Sequence, residues 1–152
     1  MTLSAGDAAP AFDMPSDDGR VSLAGLKGKT VVLYFYPKDD TTGCTAEAQG
    51  FTAADDDFAK AGAVVVGVSK DTAAKHAKFR AKYGLSPLLG SDAEGDVVER
   101  YESWIEKSMY GRKYMGIERT TFVIDEKGKI AEIFAKVKPA GHAAEVLEAL
   151  AK

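Results

Sequence analysis

The clearest pattern in the chain is an unbroken run of β-branched and aromatic residues, Thr30–Tyr36. A strand that is covered on both faces has this composition, whereas a half-exposed strand alternates apolar and polar residues. Pro37 ends the run, because proline cannot donate to a strand ladder. Ala63–Val68 is a second run of the same kind. The two runs therefore predict two buried strands of a parallel or mixed sheet.

Helical periodicity follows each of these two strands. Cys44–Lys60 carries small and apolar residues at helical spacing, and Thr41 or Thr42 suits its N-cap. Thr72–Tyr83 has the pattern of an amphipathic helix, with Asp71 as its predicted cap. Two glycines mark the predicted ends of these helices, Gly62 and Gly84.

The remaining predicted elements are shorter. They are an N-terminal β-hairpin (Ala11–Met14 and Arg20–Leu23), a strand interrupted by Pro87 (Leu85–Leu89), a helix (Glu94–Tyr101), a second hairpin (Thr120–Asp125 and Lys129–Phe134) and a closing helix (Ala143–Ala151). A β-α-β unit followed by β-β-α is the thioredoxin-like plan, an α/β fold with a central mixed β-sheet flanked by helices. With no repeat or linker, residues 1–152 are expected to form a single domain.

Composition and charge exclude several classes of protein. Of 152 residues, 45% are hydrophobic and 28% are charged, which is ordinary for a globular domain. The net charge is -3 and the charges are scattered, so neither nucleic acid nor a membrane surface is an expected partner. The first ten residues lack the charged and apolar regions of a signal peptide, which predicts a cytoplasmic protein.

The single cysteine, Cys44, cannot form an internal disulfide, and two histidines are too few to favour a structural zinc site. A lone cysteine is most often a small buried apolar residue. Cys44, however, follows a buried strand and lies in the first turn of a predicted helix, where free N–H groups and the helix dipole favour the thiolate. Gly43 would let the backbone approach a ligand, and Thr41 could direct a hydroxyl at the group that the sulfur attacks.

The spacing Pro37-x-x-x-Thr41-x-x-Cys44 resembles the active-site signature of the peroxiredoxins. Asp7–Phe12 is similar to the opening segment of that family, and Arg119–Asp125 to the strand that begins at its active-site arginine. Two segments are most similar to the subgroup called peroxiredoxin Q or bacterioferritin comigratory protein. They are Tyr36–Thr45 and Met109–Arg119.

This resemblance implies that the protein is a thiol-dependent peroxidase. The Cys44 thiolate would attack hydrogen peroxide or an organic hydroperoxide and become a sulfenic acid. Thr41 would align the peroxide, and Arg119 would stabilise both the thiolate and the charge that develops on the leaving oxygen. Pro37 would shield the sulfur from water.

The resemblance also implies two supporting roles and no cofactor. Glu47, one helical turn beyond the cysteine, corresponds to the acid that helps to orient the arginine. The backbone amides of Gly43 and Cys44 would hold the oxygens of the substrate. Neither a metal nor an organic cofactor is required.

The chain departs from this subgroup in having no resolving cysteine. Gln49 stands at one usual position, and residues 79–82, another usual location, contain no cysteine. An external thiol, such as thioredoxin or glutathione, is therefore the expected reductant; an interchain disulfide or overoxidation to sulfinic acid are the alternatives. The alternative function is a thioredoxin-like redox sensor or holdase without efficient turnover. A monomer is expected, with a dimer as the alternative.

The histidines and several aromatic residues receive no catalytic role from the sequence. His76 stands among Lys75, Lys78 and Arg80 and is expected to be solvated on its helix. His142 is expected near the start of the last helix. Three aromatic residues belong either to the core or to the approach to the cysteine: Trp104, Tyr110 and Tyr114.

Overall fold

A computed structural model describes residues 2 to 151. The strands are β1 (Asp13–Ser16), β2 (Gly19–Ser22), β3 (Thr30–Phe35), β4 (Ala63–Ser69), β5 (Leu88–Ser91), β6 (Trp104–Met109), β7 (Arg112–Ile117), β8 (Thr120–Ile124) and β9 (Ile130–Phe134). The helices are α1 (Thr42–Ala53), α2 (Asp55–Lys60), α3 (Ala73–Tyr83), α4 (Val97–Arg100) and α5 (His142–Leu150), and a 3-10 turn spans Ala24–Leu26.

Seven strands form one mixed sheet in the order β2-β1-β5-β4-β3-β8-β9. The central strands β3, β4 and β5 are parallel, and the β8–β9 hairpin continues the sheet antiparallel to β3. The N-terminal β1–β2 hairpin joins the opposite edge through a pairing of Ser16 with Gly90. This topology confirms the predicted thioredoxin-like α/β fold and its N-terminal hairpin.

The core lies on both faces of β3, as its unbroken apolar sequence predicts. Alternate side chains of β3 enter opposite layers, because successive residues of a strand point to opposite faces. Val31, Leu33 and Phe35 pack with residues of α4 and of the N-terminal segment. Val32 and Tyr34 pack with residues of the larger helical layer, which comprises α1, α2, α3 and α5. None of the helices within residues 2 to 151 is long and apolar enough to cross a membrane.

Several predicted boundaries are wrong. The strand expected over Leu85–Leu89 is β5, Leu88–Ser91, and the helix expected from Glu94 begins at Val97. The single helix expected over 44–60 is divided at Ala54 (φ −96°, ψ 10°). Asp55 opens a new helix there, since acidic residues favour a helix N-terminus. The N-cap of α3 is Thr72, whose hydroxyl accepts a hydrogen bond from the Lys75 amide at 3.2 Å. The carboxylate of Asp71, the predicted cap, turns instead toward the loop that follows β3.

The β6–β7 hairpin is an element that the sequence pattern did not predict. It forms a separate two-stranded sheet whose turn places Tyr110 and Gly111 at φ 53° and 78°. Most of its side chains are exposed, and Tyr110 is 98% exposed. No apolar stripe marks these strands in the sequence, because little of their surface is buried.

Candidate active site

Cys44 lies in the first turn of α1, directly after the loop that leaves β3. Its side chain is 1% exposed. The first intrahelical hydrogen bond of this turn runs from the Thr45 amide to the Thr41 carbonyl, at 2.9 Å. The amides of Gly43 and Cys44 precede it and therefore have no acceptor within the helix. The buried sulfur thus lies at the positive end of a helix, as predicted.

Arg119 contacts the sulfur of Cys44, although 75 positions separate the two residues in sequence. Its Nη2 donates to Cys44 Sγ at 3.2 Å, and its Nη1 donates to Glu47 Oε1 at 3.0 Å. The strand register explains this meeting. Thr120 pairs with Phe35, so Arg119 lies beside the end of β3, where the chain turns into α1. One guanidinium fork therefore joins the thiol to a carboxylate.

Glu47 is a buried acid whose protonation responds to its surroundings. Its side chain is 1% exposed, and within residues 2 to 151 its Oε2 has no hydrogen-bond partner. Burial raises the pKa of Glu47 from 4.5 to about 7, which outweighs the lowering by Arg119. The carboxyl of Glu47 and the sulfur of Cys44 thus share the guanidinium of Arg119.

Gly43 leaves the space that the guanidinium occupies. A Cβ atom at this position would lie 2.7 Å from Arg119 Nη2 and 3.4 Å from the Pro139 ring. The sequence predicted that Gly43 admits a close approach to the backbone. In the structure the approaching group is the side chain of Arg119, which Gly43 allows to reach the sulfur.

Thr41 and Pro37 lie on the loop that leads into the site. Thr41 has the extended backbone of an N-cap, but its hydroxyl donates to the Lys38 carbonyl at 2.9 Å instead of capping α1. Pro37 is half-buried at the end of β3, and Gln49 is exposed on α1. The structure thus brings Cys44, Arg119, Glu47 and Gly43 into one cluster, with Pro37 and Thr41 on the loop that precedes α1.

Two buried or half-buried residues near this site were not recognised in the sequence. His76 was expected to be solvated, and this prediction is wrong, because its side chain is 0% exposed. Arg80, four residues after His76, suggested an exposed helix face. His76 also shares a face with the buried Phe79, three residues later, and this spacing was the signal available in the sequence. Lys107 of β6 is the other; burial and the charge of Arg119 lower its pKa.

His142 lies where the sequence placed it, at the start of α5, and it is buried. Its Nδ1 lies 2.8 Å from Glu145 Oε1, and its Nε2 lies 2.7 Å from the Thr121 hydroxyl. Burial lowers the pKa of His142. A neutral ring satisfies both contacts, with Nδ1 donating to Glu145 and Nε2 accepting from Thr121. In the part of the chain that the structure describes, no group of three His, Cys, Asp or Glu residues is placed to hold a metal ion.

Known proteins resemble this chain over nearly its whole length. The model of the AhpC/TSA family matches residues 5–133. A putative peroxiredoxin bcp of Coxiella burnetii is 51% identical over 97% of this chain and 98% of its own. Peroxiredoxin Bcp of Bacillus subtilis is 45% identical, with 99% and 96% covered. A solved structure of the Xanthomonas campestris bacterioferritin comigratory protein, described for its alkyl peroxide reduction activity, superposes with a TM-score of 0.90 at 38% identity, covering 97% and 98% of the two chains.

Proposed function

Because the chain belongs to the AhpC/TSA family of peroxiredoxins and is a thiol-dependent peroxidase, we propose that Cys44 is its peroxidatic residue. The observation that carries this proposal is the 3.2 Å contact between Arg119 Nη2 and Cys44 Sγ in the first turn of α1. A guanidinium donor and unpaired helix amides both favour a sulfur anion. The thiolate is the form of cysteine that acts as a nucleophile.

The proposed chemical step is a displacement at oxygen. The thiolate of Cys44 attacks the terminal oxygen of a hydroperoxide, so that an S–O bond forms while the O–O bond breaks. Sulfur is oxidised to the sulfenic acid, and the peroxide is reduced to an alkoxide or hydroxide, which takes up a proton and leaves as alcohol or water. Arg119 opposes the negative charge that moves from sulfur to the departing oxygen.

We assign to Thr41 the orientation of the substrate through the lone pairs of its hydroxyl. Its hydroxyl hydrogen is already donated to the Lys38 carbonyl. The oxygen can therefore accept a hydrogen bond from the O–H of the hydroperoxide. The free amides of Gly43 and Cys44 offer donors to the same substrate. Pro37 would keep bulk water from the sulfur, and Glu47 would hold the second arm of the Arg119 fork.

We assign hydrogen peroxide and organic hydroperoxides as the substrates. The relative from Xanthomonas campestris, with its alkyl peroxide reduction activity, supports the organic class. Since Cys44 is the single cysteine, no intrachain disulfide can form, and we assign the reduction of the sulfenic acid to an external thiol. One thiol forms a mixed disulfide with loss of water, and a second releases Cys44 and leaves as the oxidised disulfide. Thioredoxin and glutathione are the proposed donors, and the cytoplasmic location and monomeric state stay predictions.

Rapid-mixing kinetics test this proposal directly. The wild-type protein and Cys44→Ser are mixed with hydrogen peroxide or cumene hydroperoxide, and sulfenic acid is trapped with dimedone and detected by mass spectrometry. We expect the wild type to react at least about 100-fold faster than a free thiol, in line with the gain from positioned electrostatic groups. A rate equal to that of a free thiol would refute the assignment of Cys44.

A redox sensor is the second candidate, and the burial of a lone cysteine favours it. A sulfur that is 1% exposed admits a small peroxide more readily than a protein thiol. Steady-state assays with thioredoxin, glutathione and dithiothreitol separate the two functions. Multiple turnovers with any of these donors support the peroxidase, whereas fast oxidation followed by no recycling supports the sensor.

A further inference from the structure

A buried hydrogen-bond network holds the loop that precedes Cys44. His76 of α3 is 0% exposed, and its Nδ1 lies 2.6 Å from Asp39 Oδ2. Its Nε2 lies 2.9 Å from the carbonyl oxygen of Gly90 on β5. Asp39 belongs to the loop between β3 and α1, so this imidazole connects the loop to two other elements of the fold.

The atoms of this network determine how its protons are placed. The Gly90 carbonyl can only accept, so Nε2 of His76 must carry a proton. Nδ1 then faces a carboxylate oxygen at hydrogen-bond distance, and a second proton must lie between these two atoms. His76 and Asp39 therefore share one proton, as imidazolium with carboxylate or as imidazole with carboxylic acid. Either form gives a directional contact between two buried side chains.

The other groups of Asp39 are anchored as well. The Tyr36 hydroxyl donates to Asp39 Oδ1 at 2.5 Å, and the Asp39 amide donates to Asp71 Oδ2 at 2.8 Å. Tyr36 is itself buried, and Asp71 also accepts from the Ser69 hydroxyl at 2.7 Å. Both carboxylate oxygens and the amide of one loop residue are thus fixed by groups on three different segments.

The next loop residue, Asp40, shows that this conformation is imposed on the chain. It has φ 61°, a left-handed backbone that non-glycine residues adopt at a cost. Its carboxylate accepts from Lys82 Nζ at 2.9 Å and from the Tyr83 hydroxyl at 2.7 Å, both at the C-terminal end of α3. α3 therefore holds two consecutive residues of the loop directly before Thr41.

We infer that His76 and Asp39 are positioning residues for peroxide reduction: their shared-proton contact fixes the loop that presents Pro37 and Thr41 to the sulfur of Cys44. The inference rests on the proposed roles of Thr41 and Cys44. Neither His76 nor Asp39 touches the sulfur in the proposed mechanism. Their effect is on the geometry of the reaction, for which small displacements are costly.

Two rates measured on the same cysteine test this inference. Oxidation of Cys44 by hydrogen peroxide depends on the position of Thr41, whereas alkylation by iodoacetamide depends mainly on the thiolate and on access to it. For His76→Leu we expect peroxide oxidation to be about 10- to 100-fold slower than in the wild type, and alkylation to change less than about twofold. His76→Asn keeps a donor near the position of Nδ1 and should recover part of the peroxide rate.

Ile130→Ala is the matched control, because Ile130 is buried in the opposite core layer. It is expected to lower the unfolding midpoint without changing the ratio of the two rates. If His76→Leu does not fold, Asp39→Ala carries the test. It removes both carboxylate oxygens, which contact His76 and Tyr36, so it should show the same selective loss.

The result that would overturn the inference is an unchanged ratio of the two rates in the folded His76 and Asp39 variants. A slow peroxide reaction in the wild type would instead refute the proposed function. The experiment therefore distinguishes a failure of the inference from a failure of the proposed function. Hydrogen exchange of the backbone amides of residues 38–41 gives a readout independent of peroxide. It should accelerate in His76→Leu, and unchanged exchange would also overturn the inference.

Discussion

Replacing Gly43 by alanine should separate catalysis from stability. The added Cβ would lie 2.7 Å from Arg119 Nη2, a distance too short for this pair, while the backbone of Gly43 is compatible with alanine in a helix. The guanidinium end is the group that yields, because it is the far end of a flexible side chain. Its displacement breaks the 3.2 Å contact with Cys44 Sγ.

The magnitude follows from the contact that is lost. A hydrogen bond to a charged group contributes about 1.5 to 3 kcal/mol. At about 1.4 kcal/mol for each factor of ten, peroxide oxidation of Cys44 should slow about 10- to 100-fold. The free energy of unfolding should change little or rise by up to about 1 kcal/mol, since alanine favours a helix over glycine.

Stopped-flow oxidation and urea unfolding of the same preparations measure the two quantities. Gly50→Ala is the matched control, because it lies on the same helix and its new Cβ would meet the Ala143 methyl at an ordinary 3.8 Å. It should give a similar gain in helix stability with a wild-type rate. A wild-type rate in Gly43→Ala would refute the reasoning that the position of Arg119 against the sulfur determines reactivity.

Three further predictions concern the residues around Cys44. Arg119→Lys keeps the charge but cannot reach both Glu47 and the sulfur, so kcat/KM for peroxide should fall about 10- to 100-fold; a loss under twofold would contradict this. Thr41→Ser should keep most of the peroxide rate and Thr41→Val should lose about 100-fold, since only serine retains the hydroxyl oxygen; equal rates would remove Thr41 from the mechanism. The raised pKa of Glu47 means that the folded state binds its proton more tightly than the unfolded state, so the contribution of Glu47 to stability is fully present below pH 4.5 and is lost as the pH rises through about 7. Between these two pH values the contribution of Glu47 to the free energy of unfolding falls by about 3 kcal/mol. Urea unfolding of Glu47→Gln should lack this pH dependence, and parallel pH profiles of the two proteins would refute the prediction.

Local patterns predicted most of the main sheet, because its central strands are buried. The run at Thr30 forms β3 with both faces covered, and the Thr120–Asp125 and Lys129–Phe134 segments pair as a hairpin. The β6–β7 hairpin escaped prediction since its exposed side chains need no apolar alternation. Its turn at Tyr110–Gly111 was the one local signal.

The site was predictable only in part, because its contacts connect distant parts of the chain. The position of Cys44 at a helix start follows from local sequence. The contact with Arg119 was expected solely from the resemblance to a family, since no local pattern joins residues 75 positions apart. His76 was misjudged for a related reason. Its sequence neighbours are basic and exposed, whereas its partners, Asp39 and Gly90, lie 37 and 14 positions away.

The burial of Cys44 has a consequence for the timing of the catalytic cycle. A small hydroperoxide needs only a narrow path to the sulfur, but a protein thiol must bring its own backbone to a side chain that is 1% exposed. Residues that cover the sulfur must therefore move before a protein thiol can reach it, whereas a small thiol needs a smaller movement. The rate at which the oxidised protein is reduced is thus expected to depend on the size of the reductant.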